Sequence, residues 1–445
     1  MNRYLKSLVV AVVLSTQGIP TCFADNPVVQ TSFTADPAPM VYKNTVYLYT
    51  SHDEDDAKGW SFKMFDWKCY TTTDMANWTD HGTIASLGTF KWAGYNAWAP
   101  QCIPRNGKFY LYCPVGMQNG DMVIGVAVSD TPYGPFTDPL GKPLVSDMKS
   151  IIDPTVFIDD DGQSYLYWGN PDPYYVKLNA DMISFSDSPV KVDTRPANYQ
   201  EGPWVYKRKG HYYLAYASTC CPEGIGYAMS DSPIGPWTYK GIVMDPNRLS
   251  SGNHPGIIDY KGNSYVFGFN YALNNALTPE HNERRSVCVE KFAYNPDGTI
   301  PNVPWWSAAG PPQIGVLNPY VRNEAETICW ESGVKTEACS EGGMDVCNIG
   351  TGSYIKVKGV DFGAGAKAFD ARVASAAEGG NIEIRLDSPA GDLVGVCAVS
   401  KTGGWQTWST KSCAIAKAKG VHDLYFRFTG GAGPLVNINW WKFQR

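Results

Sequence analysis

The chain has 445 residues, of which 44% are hydrophobic and 13% aromatic, enough to build two or three domains with substantial cores. Its 37 basic residues stand against 43 acidic ones, and the resulting net charge of -6 argues against nucleic acid or an anionic membrane as the main partner. The sequence has no CxxC pair, no histidine cluster with zinc spacing and no glycine-rich phosphate loop after a strand.

The first 24 residues read as a secretory signal peptide: basic Arg3 and Lys6, the apolar run Leu8 to Leu14, and small residues ending at Ala24. That run is too short to span a bilayer, so a secreted protein, extracellular or periplasmic, with no membrane span is expected. Acylation at Cys22 is disfavoured by the preceding Ile19-Pro20-Thr21. Removing the leader takes twelve cysteines to eleven, so at least one is unpaired unless it links to another chain; Cys220-Cys221 and the group Cys329, Cys339 and Cys347 are the suggestive disulfide clusters.

From residue 26 to 306 one pattern returns five times, a proline followed about ten residues later by a Tyr-centred strand. It runs from Asp36-Pro37 to Tyr47, Ala99-Pro100 to Tyr110, Asp153-Pro154 to Tyr165, Glu201-Gly202-Pro203 to Tyr213, and His254-Pro255 to Tyr265. Turn residues such as Asn106-Gly107 and Arg208-Lys209-Gly210 lie between proline and strand and suit tight hairpins. Units of roughly fifty residues predict a five-bladed β-propeller, in which residues at one register converge on the central channel. That register holds Asp36, Ala99, Asp153, Glu201 and His254. The proline-rich stretch 307–319 reads as a linker, and 320–445, with short alternating strands, as a β-sandwich of jelly-roll type, making the whole chain all-β.

Three carboxylates converging on one place suit glycosidic bond hydrolysis, which needs one acid to protonate the leaving oxygen and one carboxylate to work at the anomeric carbon. Taken singly, each acid is read more simply as a strand-start group that satisfies backbone N–H donors. Ala99 and His254 at the same register show that blade closure does not itself demand an acid there, which favours a shared site. Trp98 offers an apolar wall for a sugar face or a core packing residue. His254 is a neighbour of substrate or of a hydrated channel cation, or a structural hydrogen-bonding residue. Arg285 is a partner for a carboxylate or hydroxyl, or a surface cation.

On these residues the chain resembles glycoside hydrolase family 43, five-bladed propeller enzymes acting on arabinose- and xylose-containing polysaccharides. The resemblance implies a general base at Asp36 in Ala35-Asp36-Pro37-Ala38-Pro39-Met40, a residue that tunes and orients the acid at Asp153 in Ile152-Asp153-Pro154-Thr155, and a general acid at Glu201 in Gln200-Glu201-Gly202-Pro203. It implies inversion in one displacement, with the two working carboxyls roughly 6.5–9.5 Å apart. Thr34 to Tyr42 together with Ser51-His52-Asp53-Glu54-Asp55 look most like the branch that removes arabinofuranose from arabinoxylan. A β-1,4-xylosidase, a dual xylosidase and arabinofuranosidase, and a sugar-binding propeller without catalysis are the alternatives.

The C-terminal region is similar to a family 6 carbohydrate-binding module through Asn323-Glu324-Ala325-Glu326, Gly403 to Trp408, Gly420 to Leu424 and Asn437-Ile438-Asn439-Trp440-Trp441. The likeness implies a sugar cleft at Trp405 and Asn437 and a structural calcium on Glu324 and Glu326. Asn439 stands where an Asp is usual, and the segment 348–354 is shortened where a second stacking aromatic is usual. The chemistry is expected to need no cofactor, the partner to be a xylan-type polysaccharide or oligosaccharide, and the protein to be a monomer.

Overall fold

A computed structural model describes residues 25–250 and 252–445; the leader expected over 1–24, with Cys22, lies outside these described residues. The regular secondary structure of the described chain is almost wholly β-strand, with the short helix Ala272–Leu277.

Five antiparallel sheets follow one another between Phe33 and Phe292. The first pairs Phe33–Tyr42, Thr45–Asp53, Asp66–Thr72 and Trp78–Ser86 in sequence order. In the second, Lys108–Met117 lies between Gln101–Arg105 and Met122–Ser129, and its far end also pairs with Ala93–Ala97. The third runs through Thr155–Ile158, Ser164–Trp168, Tyr174–Leu178 and Val190–Lys191. The fourth runs from Tyr199–Arg208 through His211–Ser218 and Gly224–Ser230 to Thr238–Met244. The fifth holds Gly256–Tyr260, Asn263–Asn270 and Ser286–Phe292. First and fifth sheets are joined by backbone bonds from Thr34 N to Arg285 O and from Val28 N to Val287 O.

The expected hairpins form for a local reason. Asn106-Gly107, Lys209-Gly210 and Lys261-Gly262 all have positive φ at both positions, the backbone that matches the twist of the flanking strands. The recurring tyrosines bury their rings and spend their hydroxyls across neighbouring sheets. Tyr49 donates to Pro132 O and Tyr167 to Pro233 O, the two equivalent prolines of the Ser-Asp-X-Pro echoes. A buried ring with one satisfied polar tip is what a tyrosine supplies and a phenylalanine does not.

Beyond the linker, two sheets face each other. One contains Met344–Ile349, Val436–Gln444, Ala368–Ser375 and Gly404–Ala414, and the other Tyr354–Asp361, Val421–Gly430, Gly379–Leu386 and Leu393–Ser400. Their inner faces meet at Val357, Phe369, Ile384, Phe426 and Trp441, all buried, which makes the sandwich. This core takes up residues from Ala325 onward, whereas the core of the first region ends at Trp306.

The two regions are sewn together. Thr327–Ile328 adds an edge strand to the first sheet by pairing with Trp78 and Thr79. Asp25 is buried and bonded to Lys356 at 2.7 Å and to Lys358. The linker itself is pinned on both sides, through Ile314 N to Asp74 O and Leu317 N to Gly359 O.

Of the expected disulfide clusters, Cys220–Cys221 is bonded, while Cys329, Cys339 and Cys347 are free thiols. The hairpin register pairs Cys347 with Lys335 and Met344 with Ala338, so Cys339 and Cys347 stand at opposite ends of that hairpin. Cys329 is buried at the joint, with Sγ 3.2 Å from Asp25 Oδ1.

Candidate active site

The residue before each key proline explains how the acids reach one place. Asp36, Asp153 and Gly202 precede Pro37, Pro154 and Pro203 with φ of 51°, 58° and 58°, a left-handed conformation repeated in three sheets. For Asp36 it coincides with a break in register between Ala35 and Ala38, and in the fourth sheet the register breaks between Glu201 and Trp204. Such bulges turn a side chain out of the pleat and aim it along the sheet axis. In the fourth sheet the shared register therefore belongs to Gly202, and Glu201 stands one residue earlier, its longer side chain making up the reach. Gly202 is required twice over, by its φ and because a Cβ there would lie 3.0 Å from the His254 ring.

The structure brings Asp36, Asp153, Glu201, Trp98, His254 and Arg285 together around one cavity of about 170 Å³. A larger cavity, about 680 Å³, is lined by the turn residues Arg208, Lys209 and Gly262 at the opposite end of the strands and contains none of these acids.

His254 is the hub. Its Nδ1 lies 3.6 Å from Asp36 Oδ1, while Nε2 lies 3.3 Å from Glu201 Oε1 and 3.7 Å from Asp153 Oδ2. Asp36 and Glu201 thus stand on opposite sides of one imidazole ring. Burial opposes a charge on this ring, but Asp153, Asp36 and Glu201 outweigh it and push His254 up to about 10. Burial likewise pushes Asp153 up to about 7, with Glu201 and Asp36 adding to it against the pull of His254 and the Gly202 N–H, which donates to Asp153 Oδ2 at 3.1 Å. Protonated, His254 supplies the positive charge among the acids, and the same three groups, His254, Asp153 and Glu201, present ligand atoms within 4.8 Å of one another that could hold a cation in its stead.

Asp36 is fixed from two sides, by the Ser51 hydroxyl on Oδ2 and by Arg285 Nη1 at 2.8 Å on Oδ1. Arg285 is held in turn by Asp53, which accepts from its Nε at 2.9 Å, its Nη2 at 2.8 Å and its backbone N–H at 2.8 Å. This bidentate fork fixes the guanidinium plane. Glu201 Oε2 accepts from Asn170 Nδ2. Phe62 packs edge-on to Trp98 with ring centres 6.2 Å apart and lies under the Arg285 guanidinium. Behind Glu201, buried Glu223 carries an oxygen with no hydrogen-bond partner among the described residues. Burial, then the charge of Glu201, push its carboxyl up to about 8.

Ser51, Asp53, Phe62, Asn170 and Glu223 were not singled out by the repeat. The one signal for Asp53 was its place in the acidic run Asp53-Glu54-Asp55, from which the buried member is not separable without the strand pairing.

In the sandwich, Trp405 and Asn437 are brought together: Asn437 Nδ2 donates to Trp405 O at 3.2 Å and to Glu337 Oε1 at 2.8 Å. The expected calcium pair is divided. Glu324 gives both oxygens to Arg322 at 2.8 Å, and Arg322 also reaches Asn439 Oδ1. Glu326 alone keeps a buried oxygen without a partner, and burial pushes its carboxyl up to about 9. One free carboxyl does not make the six- to eight-oxygen shell that calcium takes, so the set does not fit the ion while Arg322 holds Glu324.

Residues 24–300 match Glycosyl hydrolases family 43, and residues 324–445 match Carbohydrate binding module (family 6). An arabinoxylan arabinofuranohydrolase of Paenibacillus polymyxa is 38% identical over 94% of this chain and 74% of its own length. A xylosidase/arabinosidase of Bacteroides ovatus is 32% identical over 60% of this chain and 94% of its own. The crystal structure of a family 43 arabinoxylan arabinofuranohydrolase from Bacillus subtilis, in complex with cellotetraose, aligns with a TM-score of 0.84 at 35% identity, covering 95% of this chain and 98% of that one. The chain belongs to glycosyl hydrolases family 43 and carries a family 6 carbohydrate-binding module.

Proposed function

We propose that this glycoside hydrolase is a secreted, inverting enzyme that removes α-L-arabinofuranosyl side groups from arabinoxylan, and that its five sheets are the blades of a propeller. The observation that carries the reading is the placement of Asp36 and Glu201 on opposite sides of His254 at the bottom of a cavity of about 170 Å³. Cavities that enclose a drug-sized ligand run from about 300 Å³ upward. This one suits a single pentose ring, as a debranching enzyme requires.

In this reading Asp36, immobilised by Ser51 and Arg285, takes a proton from a water that attacks the anomeric carbon. As that carbon–oxygen bond forms, the bond to the polymer oxygen breaks, and Glu201 delivers its proton to the departing oxygen. Asp153, tied to the Gly202 N–H and facing His254, orients the imidazolium that sits between base and acid. Trp98 and Phe62 supply the apolar wall against which the C–H face of the sugar packs, and Arg285 is a positioning residue for the base. The module adds affinity for the same polymer through Trp405 and Asn437. The names of the similar proteins support arabinoxylan as substrate, while the xylosidases among them keep β-1,4-xylosidase or dual activity as the second reading.

Product analysis separates these. Incubated with arabinoxylan and, separately, with linear xylo-oligosaccharides, with Asp36→Ala as blank, the protein should release arabinose from the polymer alone. Xylose from the oligosaccharides would move the function to xylosidase, and neither sugar would leave a sugar-binding propeller.

A further inference from the structure

The pocket takes one ring, so the polymer that carries the branch must lie outside it, across the rim. Two residues before the pocket wall Phe62 stands Trp60, 74% exposed. An exposed indole is not held in place by a core, yet this one is built in. Its ring stacks on His281 with centres 3.7 Å apart and planes 24° from parallel. His281 Nε2 lies 3.1 Å from Glu283 Oε1, and Glu283 is buried with its other oxygen bonded to the Tyr271 hydroxyl at 2.6 Å. The residue before Trp60 is pinned to the same segment: Gly59 N donates to Asn282 Oδ1 and Gly59 O accepts from Glu283 N, both at 3.0 Å.

Both segments then run directly into the pocket. Two residues beyond Trp60 is Phe62, a pocket wall, and two residues beyond Glu283 is Arg285, which holds Asp36. Two residues of extended chain span about 7 Å, close to one sugar ring from the wall. One face of the indole is covered by His281 and the other is free. A flat, uncharged, rigid aromatic face suits the C–H face of a pyranose ring.

We infer that Trp60, braced by His281, is the platform on which a xylopyranosyl unit of the main chain lies while the arabinofuranosyl branch enters the pocket. This rests on the debranching reading above for the branch, but the platform itself recognises the unbranched main chain.

The test uses the full chain with Trp60→Ala and Trp60→Phe. For Trp60→Ala, the ratio of kcat/KM on arabinoxylo-oligosaccharides to kcat/KM on an aryl α-L-arabinofuranoside should fall roughly tenfold or more, the loss of one buried ring face, with most of the change in KM. Trp60→Phe should recover much of it. An unchanged ratio, or no recovery by Phe, overturns the inference. A second arm separates its failure from that of the debranching reading. In a Trp405→Ala background, calorimetric titration with linear xylohexaose should show binding that Trp60→Ala weakens roughly tenfold or more. If the wild type releases no arabinose but this binding difference is present, the debranching reading fails and the platform stands. If arabinose is released and no binding difference is seen, the platform fails alone. A sedimentation mass that falls on Trp60→Ala would assign the indole to a contact between copies and overturn the inference as well.

Discussion

Replacing Glu201 by Gln tests the assignment of the acid most directly, because the structure separates what the change does to binding from what it does to chemistry. Glu201 has a donor on each oxygen, Asn170 Nδ2 on Oε2 and His254 Nε2 3.3 Å from Oε1. A glutamine has one carbonyl oxygen, so it satisfies one of these donors and turns its own N–H groups toward the other. That loses one hydrogen bond, about 1 kcal/mol, or roughly a fivefold to tenfold effect on every substrate. The lost proton transfer is larger, about 10²- to 10⁴-fold, and applies only where the leaving oxygen needs a proton. The assay is kcat/KM across a series of aryl arabinofuranosides and on arabinoxylan. Glu201→Gln should lose about a thousandfold or more on the polymer, whose leaving group is a sugar hydroxyl, and no more than about tenfold on a dinitrophenyl substrate. Retention within tenfold on the polymer, or an equal loss across the series, would refute the role of Glu201.

Three further expectations follow from the same geometry. Asp53→Asn removes the charge that clamps Arg285 and leaves a buried guanidinium half-paired, so unfolding free energy in urea should fall by about 3 kcal/mol and kcat should fall with it, although Asp53 lines no part of the pocket. Gly202→Ala puts a methyl 3.0 Å from the His254 ring at a φ of 58°, costing about 1–2 kcal/mol in backbone alone and displacing the imidazole, which a chemical-shift change at His254 should record. The pH dependence has a definite sign. His254 sits at about 10 against an ordinary 6.5, so its contribution to stability is complete below pH 6.5 and is lost as pH rises through 10; Asp153, raised to about 7, likewise favours the fold when protonated and stops doing so as pH rises through 7. Melting temperature should therefore decline from about pH 4 to pH 10, through Asp153 up to about 7 and through His254 above about 6.5, and His254→Gln should flatten the upper part of that decline.

The repeat made the acids legible because proline fixes strand starts and a period of roughly fifty residues puts them in register, so Asp36 and Asp153 need no knowledge of the fold to be paired. Glu201 was found with them although Gly202 separates it from its proline, and the left-handed backbone at Gly202 shows that this glycine occupies the position Asp36 and Asp153 hold in their sheets. Arg285 was legible as a candidate and not as a certainty: Glu283-Arg284-Arg285 has the composition of a surface turn, and it is the pairing of Thr34 N with Arg285 O that buries one arginine of the two. Asn170, Ser51 and Asp53 lie off the repeat, on strand ends whose position depends on how neighbouring sheets pack. The cysteines misled in the sandwich because sequence proximity is a poor guide across a hairpin whose two ends point apart.

The joint between the two regions changes how the module should act. A flexible linker raises local concentration and leaves orientation free, but here residues 314 and 317 are hydrogen-bonded to opposite sides of the joint. Thr327–Ile328 continues the first sheet, and Lys356 and Lys358 hold Asp25. Moving the module would break a strand pairing and expose a buried ion pair, a cost far above thermal energy. Trp405 and Asn437 are therefore presented at a fixed position relative to the pocket. The same first sheet that receives the module's edge strand also supplies Asp36 and Ser51 and leads into the segment that carries Trp60. On the proposed reading, a polymer engaged by the module meets the catalytic face in a set direction, and the module contributes alignment of the main chain as well as attachment to it.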